Sequence, residues 1–446
     1  MRWISIIFIA ASVHAQEIAS IVISDTLTLS QCVTIALQNQ PALGASQGAV
    51  ITAESEFTQV RSSFFPQAQF EAGAFMTNTP LQHPNIIAPT PTVDTESKTQ
   101  FIPSLRLSIK QPIYDFGRTA KALESKRKLI EASERSLSST ENDVVLNVHL
   151  AYYNYLLAQS VVKIQEDRVN QAKKHLERAS GFFEVGKIPE SEVSKAELEV
   201  SNAQVELINA RGKSRLAKVN LNNAMGVTEV AENPGDYTLV ADVGYEPFTA
   251  NLKESIDEAL LGRDELAGAD LKIRAWRSAL AAAKSQYWPI ITASAGFGPY
   301  IVSSDPANLL DNSTIKVGYN VGLNFSFPIF QGLTVRADIA EALGGIRTST
   351  AQYNVVRQKI IQEVQERYFS VKYAEERYKA TEHLVEQGER NLQLASGRFE
   401  TGVGSAIEIS DANLSLANAK IDRISALYQY QMEVDRFNRT IGQLRK

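Results

Sequence analysis

The stretch Tyr319-Asn-Val-Gly-Leu-Asn-Phe-Ser-Phe-Pro-Ile-Phe330 decides the fold. Tyr319, Val321, Leu323, Phe325 and Phe327 alternate with Asn320, Gly322, Asn324 and Ser326, and Pro328 ends the run. A period of two puts every apolar side chain on one face of a strand and every small polar one on the other. The pattern stands also 216 residues earlier, where Leu105, Leu107 and Ile109 alternate with Ser104, Arg106, Ser108 and Lys110 ahead of Pro112. Each of these segments has a companion upstream. Ala68, Phe70, Ala72 and Ala74 alternate with Gln67, Gln69, Glu71 and Gly73, and Ile291, Ala293, Ala295 and Phe297 with Thr292, Ser294, Gly296 and Gly298. Each strand has roughly 9 to 11 residues, the length that crosses a bilayer when tilted.

The chain is written twice. Phe65-Pro66 and Trp288-Pro289 mark one point in the two copies, 223 residues apart, with Ala36-Leu37 meeting Ala259-Leu260 and Ala72-Gly73 meeting Ala295-Gly296. Beyond the first strand of each copy the offset is 216, and Pro112-Ile113 meets Pro328-Ile329, Tyr152 meets Tyr368, and Gly226 meets Gly442. The change falls between the two strands, where loop length varies freely. Residues 1–15 are expected to be a signal peptide, 16–228 the first structural repeat and 229–446 the second. Strands are expected near 67–76, 101–111, 290–301 and 316–327, and long helices near 114–185, 189–226, 332–401 and 405–441.

Those helices are very long. Some 65 to 70 residues without a break, at about 1.5 Å each, make a rod of about 100 Å. The return helix of each copy is about half as long, and the helix before the strands covers the rest. The return helices carry heptads: Ala196, Ala203, Ala210, Ala217 and Ala224 beside Val193, Val200 and Leu207, then Ile407, Leu414, Ile421 and Tyr428 beside Ala412, Ala419 and Ala426. Two adjacent stripes per helix imply two helical neighbours, as in a closed wall of helices.

Composition narrows the class. Arg2, the apolar run Ile4 to Ala11 and Val13-His14-Ala15 form the three parts of an export signal, and the run is too short for a membrane anchor. A net charge of −5 argues against a general nucleic-acid binder. With five His, one Cys and neither a phosphate loop nor a nucleophile elbow, no catalytic motif or cofactor is expected. Cys32, the single cysteine, is expected as a plain buried thiol.

An ordinary half-buried sheet gives the same alternation. Here no third layer is left to cover the apolar face, so an outer-membrane barrel is the better reading. Four strands cannot close one, and each unpaired backbone group in lipid costs several kcal/mol. Copies must therefore share the barrel. Two copies would give a barrel filled by its own side chains; three give a wider one, which the small polar inward set suits. The fold class expected is thus mainly α, with four β-strands per chain in a shared barrel.

With these features in hand, the chain resembles the TolC family of outer-membrane efflux proteins. The resemblance rests on the duplicated helix–strand–strand–helix–helix order, Pro112-Ile-Tyr-Asp115, Pro328-Ile-Phe-Gln-Gly332, and the twin motifs Phe183-Glu-Val-Gly186 and Phe399-Glu-Thr-Gly402. It implies a homotrimer with a 12-stranded barrel in outer-membrane lipid, continued into the periplasm by an α-helical barrel. It implies passive export, either in tripartite efflux or type I secretion, with a periplasmic adaptor protein and an inner-membrane transporter of RND, ABC or MFS type as partners. By position after the second tip motif, it implies that Glu408 and Asp411 line an acidic gate at the periplasmic entrance. Ser191 and Glu192 fall where the type member has a polar latch pair, while Gly404 stands where it has a basic latch residue. The turns Gly186-Lys187 and Gly402-Val403-Gly404-Ser405 would dock the adaptor. The competing classes are a periplasmic coiled-coil adaptor and a structural envelope-spanning protein without a channel.

Overall fold

The computed structural model describes residues 26–77, 100–227, 237–241, 244–301 and 315–444. The expected signal peptide and most of the two long inter-strand loops lie outside the described residues. The order is β1 (Thr26–Leu27), α1 (Leu29–Asn39), α2 (Pro41–Arg61), β2 (Gln67–Thr77), β3 (Gln100–Tyr114), α3 (Arg118–Glu184) and α4 (Glu190–Ala224). The second copy follows as β4 (Thr238–Leu239), α5 (Leu252–Gly262), α6 (Asp264–Lys284), β5 (Ile290–Ile301), β6 (Ile315–Ser326), α7 (Thr334–Glu400) and α8 (Ala406–Ile441).

The four long strands form one antiparallel sheet in the order β2-β3-β5-β6. The register sets Glu71 opposite Arg106, Lys110 opposite both Gln67 and Ser294, and Asn320 opposite Gly296. Phe70, Phe297, Tyr319, Val321, Leu323 and Phe325 are all more than half exposed on the other face, so none of the described residues covers it. Both outer strands have an unpaired edge.

Two boundaries differ from the sequence reading. β3 runs through Pro112 to Tyr114, with a bulge that absorbs the proline. The long helix then begins at Arg118, because Asp115 accepts from the N–H groups of Gly117 (3.1 Å) and Thr119 (2.7 Å) and builds a turn there. Helical periodicity does not reveal a side chain that bonds its own backbone.

α3 and α7 are both 67 residues, about 100 Å of unbroken helix. Alongside α3, α2 covers the sheet-proximal half and α4 the distal half. Their ends meet at Gln40, whose Nε2 donates to the carbonyls of Asn223 (3.1 Å) and Ala224 (3.0 Å), orphans at the end of α4. Gly226 turns away there at φ +74°, and any Cβ would strike the Asn39 backbone at 2.8 Å. The second copy repeats the joint with other chemistry: Arg263 reaches the Thr440 carbonyl, and Gly442 takes φ +80° against Gly262.

Around these joints sit the two main cores. One gathers Cys32, Val33, Val148, Tyr152, Leu221 and Met225; the other Ile360, Val364, Val371, Tyr430 and Phe437. Burial pushes the Cys32 thiol up to about 12, so it packs as an inert apolar group. In the return helices Ala196, Ala203 and Ala210 of α4 and Ala412, Ala419 and Ala426 of α8 are buried. Ile407 and Leu414, read from the heptad as packed, are instead exposed at 49% and 40%. Periodicity identifies a face, not what lies against it.

Candidate functional site

Two features of the chain are unfinished, its two sides and its distal tip. The sides come first. The helices that touch give the order α4–α3–α8–α7 in the distal half and α2–α3–α6–α7 nearer the sheet. One side of the wall is therefore made by α2 and α4, the other by α7. On α4, Leu198, Val205, Ile208, Leu216 and Val219 are each more than half exposed. On α7 the same holds for Val355, Phe369, Tyr373, Leu384 and Leu394. The sheet is left open in the same sense, with β2 continuing from α2 and β6 leading into α7.

At the distal tip, α3 and α7 each end in a tight turn. Gly186 sits at φ +72° and Gly402 at φ +77°, where a side chain is strained. The N–H of Lys187 donates to the Phe182 carbonyl (2.8 Å), and that of Val403 to the Arg398 carbonyl (3.0 Å). Lys187 Nζ lies over the Phe182 ring at 5.4 Å, and Val403 is exposed. Gly404 is needed for a second reason: a Cβ would stand 2.9 Å from the Phe399 nitrogen. A basic side chain therefore has no room at 404. A basic group stands nearby in Arg398, whose Nε donates to Glu408 at 3.1 Å.

Ser405 caps α8, its hydroxyl accepting from the Glu408 N–H at 3.4 Å. Glu408 and Asp411 follow three residues apart on one exposed face of that helix. Glu192 lies on the other hairpin, yet its Oε2 accepts from the Ala406 N–H at 3.2 Å while Oε1 takes Lys195 Nζ at 2.6 Å. The carboxylate thus joins α4 to the positive end of α8. Lys195 is the larger cause, with the Ala406 N–H, of its lowered pKa. Ser191, the other half of the expected pair, is exposed beside it.

The seam between hairpins holds residues that sequence reasoning missed. Phe399 is buried between His175 (5.2 Å, edge-on) and Phe182 (5.9 Å) of α3. Burial lowers the His175 pKa, helped by Arg178 and opposed by Glu192. Glu199 is buried near Ser410, Asn413 and Asp411 of α8, and desolvation raises its pKa against the pull of Arg168. Glu199 had a signal: it lies seven residues after Glu192, between Ala196 and Ala203 of the alanine stripe. His175 and Arg398 had none.

Comparison with known proteins places this architecture. The family model for outer membrane efflux proteins matches residues 33–227 and 255–443, once for each copy. The chain belongs to the outer membrane efflux protein family. It is similar to the outer membrane protein TolC of Escherichia coli, 22% identical over 354 residues, which span 76% of this chain and 69% of that one. Likeness to the TolC of Vibrio cholerae is 20% over 422 residues, 93% of this chain and 91% of the relative. Among solved structures, the Campylobacter jejuni CmeC outer membrane channel superposes with a TM-score of 0.75 at 17% identity, covering 94% of this chain and 87% of that one.

As an efflux channel of the outer membrane, the chain has its sheet in lipid and its helices in the periplasm. The junction fits that placement. Tyr114 meets Phe116 edge-on at 4.7 Å and Phe116 stacks on Trp288 at 5.5 Å where sheet passes into helix, with Phe65, Tyr287 and Phe330 exposed around them. Aromatic rings collect at the level where hydrocarbon meets water.

Proposed function

We propose that three copies of this efflux protein close head to tail into one tube, the passive outer duct of a tripartite export machine. The observation that carries the reading is the agreement of the two open sides at both levels. α2 and α4 with β2 form one side, and α7 with β6 the other. A head-to-tail contact of this kind forms a ring when the rotation closes. Three chains of four strands leave a lumen, whereas two would fill it.

Glu408 and Asp411 are the gate of this duct, facing the axis at its periplasmic mouth as acidic rings. Glu192 is the latch, with Arg398 and Phe399 as its companions across the seam. The turns at Gly186-Lys187 and Gly402 to Ser405 dock the helical hairpin of a periplasmic adaptor, which passes cargo from an inner-membrane transporter.

The purified protein is expected to open discrete channels in planar bilayers. In a Cys32→Ser background, Glu408→Cys or Asp411→Cys labelled with a bulky thiol reagent should cut the conductance several-fold. Unchanged conductance after complete labelling removes both residues from the gate. Glu192→Ala frees the Ala406 N–H and should raise resting conductance several-fold, with Glu192→Gln in between. A photocrosslinker at Lys187 or Val403 should capture the adaptor in cells; capture of nothing refutes the docking assignment.

A further inference from the structure

The sheet's inward face carries charges that the duplication did not supply. Among the described side chains on it, Gln67, Gln69, Ser108, Thr292, Ser294, Asn320, Asn324 and Ser326 are neutral. Three are charged: Glu71, Arg106 and Lys110. The repeat sets Gly322 opposite Arg106 and Ser326 opposite Lys110, so at these two levels the second copy has small neutral residues. The cations of β3 are therefore not a requirement of the strand.

Their surroundings leave them unneutralised. Lys110 has Gln67 on one side and Ser294 on the other. Arg106 faces Glu71 in register, but among the described residues no ion pair joins them. The guanidinium lies instead across Gly296 beside Asn320, where a Cβ would come within 3.2 Å of Nη2. A glycine at 296 leaves room for both side chains as they stand. Asn324 is engaged with Ser294 at 3.0 Å, one ladder step away.

We propose that Arg106 and Lys110 form a cationic collar inside the outer barrel, which binds and passes solutes bearing carboxylate or phosphate groups. The collar rests on the trimeric duct proposed above. A twelve-stranded barrel has its backbone about 12 Å from the axis, given strands about 4.8 Å apart and tilted by about 40°. The field of a wall charge extends about 8 Å in physiological salt. Among the described side chains, the six cations of Arg106 and Lys110 against the three carboxylates of Glu71 therefore act over most of the cross-section. Rings of charged side chains select ions by this means. The duct then carries two signs in series, acidic at Glu408 and Asp411 and basic at the exit. An anion repelled at the entrance until it opens is drawn onward by the collar.

The test uses the full-length protein in planar bilayers, with inorganic pyrophosphate added on the barrel side. Pyrophosphate should reduce the current, and Arg106→Gln with Lys110→Gln should weaken that block at least ten-fold. Glu71→Gln removes the opposing charge and should strengthen it, which keeps the idea exposed should the double variant fail to assemble. Equal block in wild type, double variant and Glu71→Gln overturns the collar while the duct stands. A wild-type protein that conducts nothing overturns the duct, and the collar with it.

Discussion

Val321→Arg is expected to keep the protein out of the outer membrane, while Asn320→Arg, one residue away, is tolerated. Both lie at the middle of β6, on opposite faces of the sheet. Val321 is 79% exposed and none of the described residues covers it, so lipid is its neighbour. An arginine on the lipid face at the midplane costs about 2–4 kcal/mol. In the trimer proposed above that cost falls three times, roughly 6–12 kcal/mol per assembly, as much as a typical domain's whole stability. Asn320 faces the lumen, where water solvates the new charge. Fractionation with heat-sensitive oligomer migration is the measurement. Equal amounts of both variants in the outer membrane would mean that the apolar face is covered by protein, and the barrel would be lost with it.

The alternation that makes this prediction was legible in the sequence, because a strand repeats every two residues and a lipid-facing strand has no second layer to blur the pattern. The long helices were legible for the same reason. Periodicity is a local property, so its reach is local. It missed the start of α3, where Asp115 bonds its own backbone. It located the stripe of Ile407 and Leu414 but not how much of it the chain leaves exposed. Repeat matching carried further, relating joints such as Gln40 and Arg263 that do the same work with different side chains.

Contacts between the copies lay beyond both tools. The Glu192 bond to Ala406 spans 214 residues, and the burial of Phe399 against His175 is as remote. Matching two copies shows what each contains, never how one leans on the other. The resemblance pointed at Glu192, yet it offered Gly404 only as a missing charge. The backbone contact at 2.9 Å leaves no room for a side chain at 404, and the basic group that meets Glu408 in this chain is Arg398.

The strongest bond between the copies leads to the second large effect. Arg439 of α8 is buried, donating Nε to Asp143 (2.8 Å) and Nη2 to Glu265 (2.7 Å). Glu265 also receives Arg263 and Ser139, while Asp264 receives Arg135 and Ser138. The cluster thus ties α3 of the first copy to α6 and α8 of the second. The duplication has Asn223 and Ala42 at the matching places, so the network occurs once. Arg439→Leu leaves two carboxylates facing each other with one guanidinium lost; because Asp143 is 54% and Glu265 29% exposed, the cost falls below that of a fully buried pair, to about 1–3 kcal/mol of stability. Burial alone would raise the Glu265 carboxyl, but Arg263 and Arg439 outweigh it and hold it at about 2. An unfolded glutamate titrates near about 4.3. Because the folded value is the lower one, this stabilisation is complete above about 4.3 and is lost as pH falls toward about 2. Wild-type helix melting, followed by far-UV circular dichroism in detergent, should therefore weaken through that window. In Arg439→Leu the melting point should start lower and depend less on pH there, since the carboxyl has lost one of its two guanidinium partners and keeps only Arg263. Parallel curves for the two proteins between those values would show that the copies are held together by apolar packing alone, with the ion network a passenger.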